Sequence, residues 1–348
     1  PSMVPPLETT ADMTGADRVR RRPELGYDGE GVLLGDIDSG FDIFHPSLFR
    51  ADGGYYAWKD VDGDGVFDPE TDGVDLDQDG EIEDNERLRV LDAAVFERGG
   101  IRHRNGTLEP SRDWLYVDRN QNGERDIGPE SFDERTPAYA EPTFVVDDAD
   151  EDGELDPDER LVRLNTSKFK RVVQGEAVYE HGDNLIELGP PTAEDRSFHG
   201  TGATSVMVGG HPGFHDRIGL APGADVVGYA YSGTSDSGDL SNGNATRQLE
   251  YVEDAIQTGV DVLLHEWTRI VFAPLDGSTN LEAALKRARN REAMTQINPL
   301  GNLNRSQKHL EHTIAPDTSS EMTFVVDEGV TRRGRTYPYR IAYGALQW

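Results

Sequence analysis

Three stretches of this chain combine residue types and spacings that can do chemistry. In the first, an apolar run from Val32 to Ile37 ends at Asp38-Ser39-Gly40, and His45-Pro46 follows after a short loop. The run predicts a buried strand. A strand that delivers a carboxylate at its C-terminal tip is the usual way an open α/β sheet presents a catalytic group. The same letters also fit a strand ending in a tight turn, with Asp38 as the turn former. The second stretch runs from Ser197 to Gly210. His199 is followed by Gly200, Thr201, Gly202 and Ala203, then by apolar residues at helical spacing. A helix with so small a face can pack close to a sheet and hold the histidine at its N-terminus. A lone histidine can equally be a satisfied structural one.

The third kind of stretch is acidic. Asp75, Asp77 and Asp79 lead through Gly80 and Glu81 to Glu86 at the twelfth position, and Asp148, Asp150 and Asp152 lead through Gly153 and Glu154 to Glu159 at the twelfth. This spacing suits calcium for a physical reason. Side chains at positions 1, 3 and 5 converge on one ion, a glycine at 6 allows the reversal, a carbonyl serves at 7, and the last glutamate binds with both oxygens. Two further loops are partial. Asp60, Asp62 and Asp64 continue to Asp68 at position 9, but position 12 is Thr71. Asp118, Asn120 and Asn122 continue to Asp126, but position 12 is Pro129. Glu70 or Glu130 is the nearest substitute for the missing bidentate residue. Solvated acidic turns are the alternative for all four loops. Starts at 60 and 75 leave no room for the flanking helices of paired EF-hands. The pattern resembles the short aspartate-rich repeats of dockerins and thrombospondin-type modules.

The elements that must position these residues are legible in part. The chain has 348 residues, enough for one large domain or two moderate ones. Formal net charge is −32, and residues 51–195 hold 40 acidic against 15 basic residues. Net −25 therefore sits in one segment, and its carboxylates are patterned. Such a balance argues against a nucleic-acid partner, which needs a basic footprint. There is no cysteine, so disulfides and thiolate metal sites are excluded, and hard cations remain. No apolar run reaches membrane-spanning length. Thr14 to Leu25 has helix-forming character. After Ile218 to Tyr229, a turn and strand, the spacing predicts a helix over Leu249 to Thr258, ended by Gly259, then a buried strand from Val260 to Leu264. A helix over Leu281 to Asn290 and a strand over Met294 to Ile297 follow, ending near Gly301-Asn302. Residues 313–346 alternate, as in Met322 to Val326 and Tyr337 to Tyr343, and read as strands.

The Asp-Ser-Gly and His-Gly-Thr motifs, with Leu220-Ala221-Pro222-Gly223-Ala224 and the Gly-Asn after the second helix, resemble the subtilisin-like serine proteases. The resemblance covers residues 14–49 and 196–302. It implies a three-layer α/β/α core with a mostly parallel sheet, an Asp-His-Ser endopeptidase acting on peptide or protein substrates, and secretion. Asp38 becomes the triad aspartate, His199 the general base, and Asn302 an oxyanion-hole donor, although Gly-Asn is also a common turn pair. Two departures stand out. Gly202 replaces the family's second histidine, and His265-Glu266-Trp267 replaces Ser-x-Gly on the substrate-binding strand, so substrate preference does not carry over.

The resulting division is a peptidase core over 14–49 and 196–312, an inserted, loop-rich calcium-binding region over 50–195, and the start of a β-rich segment over 313–348. The family's nucleophile, in Gly-Thr-Ser-Met-Ala, is missing. Gly233-Thr234-Ser235 precedes Asn302 and continues in a polar loop. The sequence thus reads as a protease fragment, inactive alone, whose serine follows residue 348. A pseudoprotease acting as a calcium-dependent binding module is the alternative, and a tripeptidyl-peptidase-like exopeptidase is a weaker one.

Overall fold

The computed structural model describes residues 11, 13–20, 27–93, 96–98, 101–103, 106–191, 197–231, 242–266, 278–291, 293–298, 329–332 and 335–338. A short helix, α1 (Ala16–Arg20), precedes β1 (Leu33–Asp38). The acidic stretch then supplies β2 (Tyr55–Ala57), β3 (Leu88–Leu91), the hairpin of β4 (Phe96–Arg98) and β5 (Ile101–His103), β6 (Trp114–Val117), β7 (Thr143–Asp147), β8 (Arg160–Arg163), β9 (Phe169–Gln174) and β10 (Ala177–Glu180). The chain continues through α2 (Ser197–Val208), β11 (Asp225–Ala230), α3 (Asn242–Thr258), β12 (Val262–His265), α4 (Asn280–Arg291) and β13 (Thr295–Ile297). A hairpin of β14 (Gly329–Arg332) and β15 (Arg335–Pro338) comes last. The expected strand at 322–326 and the second half of the one at 337–343 lie outside the described residues, and β14 begins at the Gly329 that reads as a break.

The fold is α/β. One six-stranded sheet runs β10-β9-β11-β1-β12-β13, parallel except for β10. Its central strand is buried on both faces, as parallel strands covered by helices must be. Alternation in β1 sorts its side chains. Leu34 faces a core that includes Val208 of α2, whereas Ile37 faces a core with Tyr251, Val252 and Ala255 of α3 and Ala284 and Ala288 of α4. That makes three layers. Each fully buried side chain of this size contributes about 1.5–3 kcal/mol. Helix α4 starts with a capping box: the Thr279 hydroxyl accepts from Glu282 N–H, and the Glu282 carboxylate accepts from Thr279 N–H. Helix α3 stops at Gly259, whose φ of 81° is open to glycine at no cost. Among the described residues no helix is long and apolar enough to cross a membrane.

The acidic region is more than loops. A five-stranded antiparallel sheet, β2-β8-β7-β6-β3, carries it. Leu115, Val117, Phe144, Val146 and Leu161 point into that sheet's own core with Trp58 and Leu88. Their neighbours Trp114, Val145 and Val162 point the other way, into the core shared with α2, Phe44 and Phe49. Sequence periodicity missed this sheet because its strands are only three to five residues long and the acidic loops break them apart. The strands β9 and β10, which the sequence reading assigns to the inserted region, join the six-stranded sheet instead: β9 pairs with β11 in parallel.

Candidate active site and acidic loops

Asp38 closes β1 at the C-terminal edge of the sheet, and its side chain is 2% exposed. His199 is the third residue of α2. The two lie 161 positions apart, yet the His199 Nδ1–H donates to the Asp38 carboxylate, 2.8 Å from each oxygen. The His199 side chain is 57% exposed, so its other nitrogen is open to a reactant. The approach depends on glycine. A Cβ at Gly200 would collide with the Gly40 carbonyl oxygen and press on Asp38, so only glycine lets α2 come this close to the turn after β1. The helix is pinned there by Asp42 N–H donating to the Thr201 hydroxyl (2.8 Å), while Thr204 donates to the Asp36 carboxylate (2.9 Å). Ser39 N–H donates to Asp38 as well.

Two more carboxylates share this face. Asp36 sits two residues before Asp38 on the strand, fully buried. Burial pushes its carboxyl well above the usual range, and the charges of Asp38 and Glu266 push it further, against the Thr204 hydrogen bond. Glu266 follows β12, whose His265 is level with Ile37 of β1; its N–H donates to the Ile37 carbonyl (3.1 Å). Ligand atoms of Asp38, His199 and Glu266 all lie within 4.8 Å of one another. His265 is fully buried and contacts Gln248 of α3, on the opposite side of the sheet. The sequence flagged Glu266 only as a departure. The alternation of β1 and β12 was the signal that would have placed Asp36 and Glu266 beside Asp38. Asn302, Trp267 and Gly233-Thr234-Ser235 lie outside the described residues.

The acidic loops gather their side chains as their spacing asks. Asp60, Asp62 and Asp64 form one cluster, Asp75, Asp77 and Glu86 a second, Asp77, Asp79 and Glu83 an overlapping one, and Asp148, Asp150 and Asp152 another. The backbone repeats too. The amide at position 6 of each loop donates back to the first carboxylate: Gly65 to Asp60, Gly80 to Asp75, Gly123 to Asp118 and Gly153 to Asp148. A closing carboxylate spans each loop, accepting from the amides at positions 2 and 9. In the complete loops these are Glu86, from Leu76 and Glu83, and Glu159, from Ala149 and Asp156.

The two partial loops are closed the same way by residues that counting to twelve does not reach. In the loop from Asp60, Asp72 accepts from Val61 and Asp68. In the loop from Asp118, Glu141 accepts from Arg119 and Asp126. Asp72 is one position late. Glu141 arrives from the lead into β7, with no sequence signal. Neither suggested substitute serves: Glu70 is exposed and paired with Arg89 (2.6 Å), and Glu130 is exposed. Burial raises the carboxyl pKa of both Glu141 and Glu159, partly countered by these amide hydrogen bonds. Basic side chains reach two of the loops: Lys59 to Asp75 (3.2 Å) and Arg89 to Asp118 (2.9 Å). The donor set is all oxygen, which fits a hard divalent cation.

A buried aspartate at the C-terminal edge of an α/β sheet is thus hydrogen-bonded to a histidine at the start of a small-residue helix. The chain matches the model of the subtilase family over residues 29–331, and it belongs to that family. Among solved structures it is similar to the CspB protease of Clostridium perfringens, at a TM-score of 0.38 and 11% identity over 82% of this chain and 40% of that one. It therefore spans less than half the length of that protease. The comparison with curated proteins finds no match.

Proposed function

We propose that this chain carries the aspartate and the general base of a subtilisin-type serine endopeptidase that hydrolyses peptide bonds in proteins. The observation that carries the reading is the His199 Nδ1–H held 2.8 Å from both oxygens of Asp38. Asp38 fixes the tautomer, so that Nε2 is free to take the proton of an attacking serine, and it stabilises the imidazolium that forms. Asn302 would donate its amide to the tetrahedral oxyanion. The family's serine motif is not among these 348 residues, and the proposed reaction needs that nucleophile.

Calcium is the proposed cofactor. The carboxylates of Asp60, Asp75, Asp118 and Asp148 and their loop partners, closed by Asp72, Glu86, Glu141 and Glu159, would hold it. When bound it would neutralise the crowded carboxylates and tie each loop shut. Such loops suit a calcium-rich setting outside the cell.

The test uses the complete gene product. A fluorophosphonate probe should label one serine, and Asp38→Asn should lower peptide hydrolysis by about 10⁴-fold, as loss of the orienting aspartate does in serine proteases. No labelled serine and no hydrolysis would defeat the protease reading. The calcium-dependent binding scaffold would then stand in its place.

A further inference from the structure

We propose that Arg125 is a positioning residue for the dyad, and that calcium in the Asp118 loop acts on Asp38 and His199 through it. The calcium is that of the reading above, on which this proposal rests. Position 8 carries the anchoring side chain of each acidic loop. It is Phe67, Ile82 and Leu155 in three of them, and Phe67 and Leu155 pack in the antiparallel sheet's own core. In the loop from Asp118 it is Arg125, a charged side chain that such a core does not accept. Arg125 reaches the turn after β1 instead. Its Nε–H donates to the Thr143 hydroxyl (2.8 Å), and its Nη1–H donates to the carbonyl of Phe44 (3.1 Å), six residues past Asp38.

A separate set of contacts joins that turn to the helix of His199. The Gly40 carbonyl lies against Gly200, where a Cβ would collide with it, and Asp42 N–H donates to Thr201 (2.8 Å). Further along, the Ser47 and Ser205 hydroxyls are 3.3 Å apart, and Gly210 N–H donates to the Ser47 carbonyl (2.9 Å). The segment 40–47 therefore lies along α2 from its first turn to its end, and Arg125 clasps the middle of that segment. Any displacement of the segment moves the strand end that carries Asp38 relative to the helix that carries His199.

The charges give the coupling its direction. Arg125 lies in the field of two carboxylates, Asp42 in the turn and Glu141, which closes the loop. In the empty loop Glu141 competes with the turn for the guanidinium. A bound divalent cation is the largest local charge, so it commits Glu141 to the ion and favours Arg125 on Asp42 and the Phe44 carbonyl. The hold of Arg125 on the turn is then stronger with the loop filled than with it empty. A contact that differs between the two states is what coupling between two sites requires. Calcium in this loop would thus favour the paired Asp38 and His199.

The experiment follows the Nδ1 proton of His199 by proton NMR in the 348-residue chain, in calcium and in chelator, with His199→Ala to assign the signal. Calorimetry on the same samples counts bound calcium. We expect calcium to slow exchange of that proton with water by about fivefold or more, as coupling between sites typically does. Arg125→Met should keep calcium uptake and lose the slowing. Arg125→Lys, which retains a donor for the Phe44 carbonyl, should restore part of it. Two more variants, both in calcium, separate positioning from general stability. Glu141→Gln opens the Asp118 loop and should speed the exchange, whereas Glu86→Gln opens the Asp75 loop and should not. Circular dichroism checks that each variant stays folded. Exchange that ignores calcium, that slows as before in Arg125→Met, or that responds equally to Glu86→Gln and Glu141→Gln overturns the proposal. Calcium uptake with an unresponsive dyad leaves the calcium reading standing while this inference fails, and no uptake at all defeats both.

Discussion

Glu141 is the residue whose place in the chain says least about its position in the structure. It lies 23 residues after Asp118, yet it spans that loop as Glu86 and Glu159 span theirs, and it is 2% exposed. A carboxylate buried beside Asp118 and Asp126 costs free energy unless a cation offsets it. The shared hydrogen-bond scheme makes four equivalent loops, where spacing alone counts two whole and two partial. Equilibrium dialysis or calorimetry with calcium should accordingly find four sites per chain, and Glu141→Gln should leave three. Each site filled at a hundred times its dissociation constant adds about 2.7 kcal/mol of stability, so a chelator should lower the melting temperature strongly. A stoichiometry of two in the unaltered chain would return Asp72 and Glu141 to purely structural roles.

At the scale of elements, what the sequence made plain was periodic or local. Strand β1, the capped helix α4 and the helix-strand order from α3 to β13 follow from apolar spacing and from stop signals such as Gly259. Asp38 was legible because it ends an apolar strand, and His199 because a run of small residues, Gly200 to Ala203, follows it. Helix α3 starts at Asn242, seven residues before its apolar face begins at Leu249, because nothing in that polar turn marks a start. The antiparallel sheet and the Glu141 closure were not legible, because they depend on contacts between segments far apart in the chain. So does the anchor of α2. Lys168, at the entry to β9 and 1% exposed, donates to the carbonyls of Val208 (2.5 Å) and Gly210 (2.8 Å) where the helix ends. Burial pushes its ammonium down to about 7. The strap ties β9 to the helix that carries His199. Lys168→Met leaves two buried carbonyls without this donor and should cost about 2–4 kcal/mol in urea unfolding at pH 8. A loss under 1 kcal/mol would mean that water or a neighbour replaces the amine.

On the scale of the whole molecule, the acidic region and the α/β layers share one core, and His211 and His215 are buried along the seam with the half-buried His45 beside them. Trp114 of β6 donates its indole N–H to Nε2 of His211 (3.0 Å), and its ring also meets those of His45 and His215 edge-on. His215 donates Nε2–H to the Asp113 carbonyl (3.2 Å). All three imidazoles are held neutral. Burial lowers His45, opposed by Asp42 and helped by Arg125; it lowers His211 strongly, with His215, Lys168 and His45 adding repulsion; and it lowers His215 to about 4, against the Asp113 carbonyl and Asp216. The sign follows from the unfolded value near 6.5. Above it neither state binds the proton and the seam keeps its full stability. As pH falls from 6.5 toward 4 the unfolded chain takes up protons that the folded seam refuses, and stability is lost. For His215 alone, 2.5 pH units correspond to about 3 kcal/mol. Urea unfolding in calcium from pH 7 to 5 should show about 2 kcal/mol of this fall, and His215→Gln should flatten the slope while keeping a donor for Asp113. An unchanged slope would assign the acid sensitivity to the loop carboxylates. A flattened one would mean that mild acid loosens the acidic sheet from α2, and with it the helix on which His199 meets Asp38.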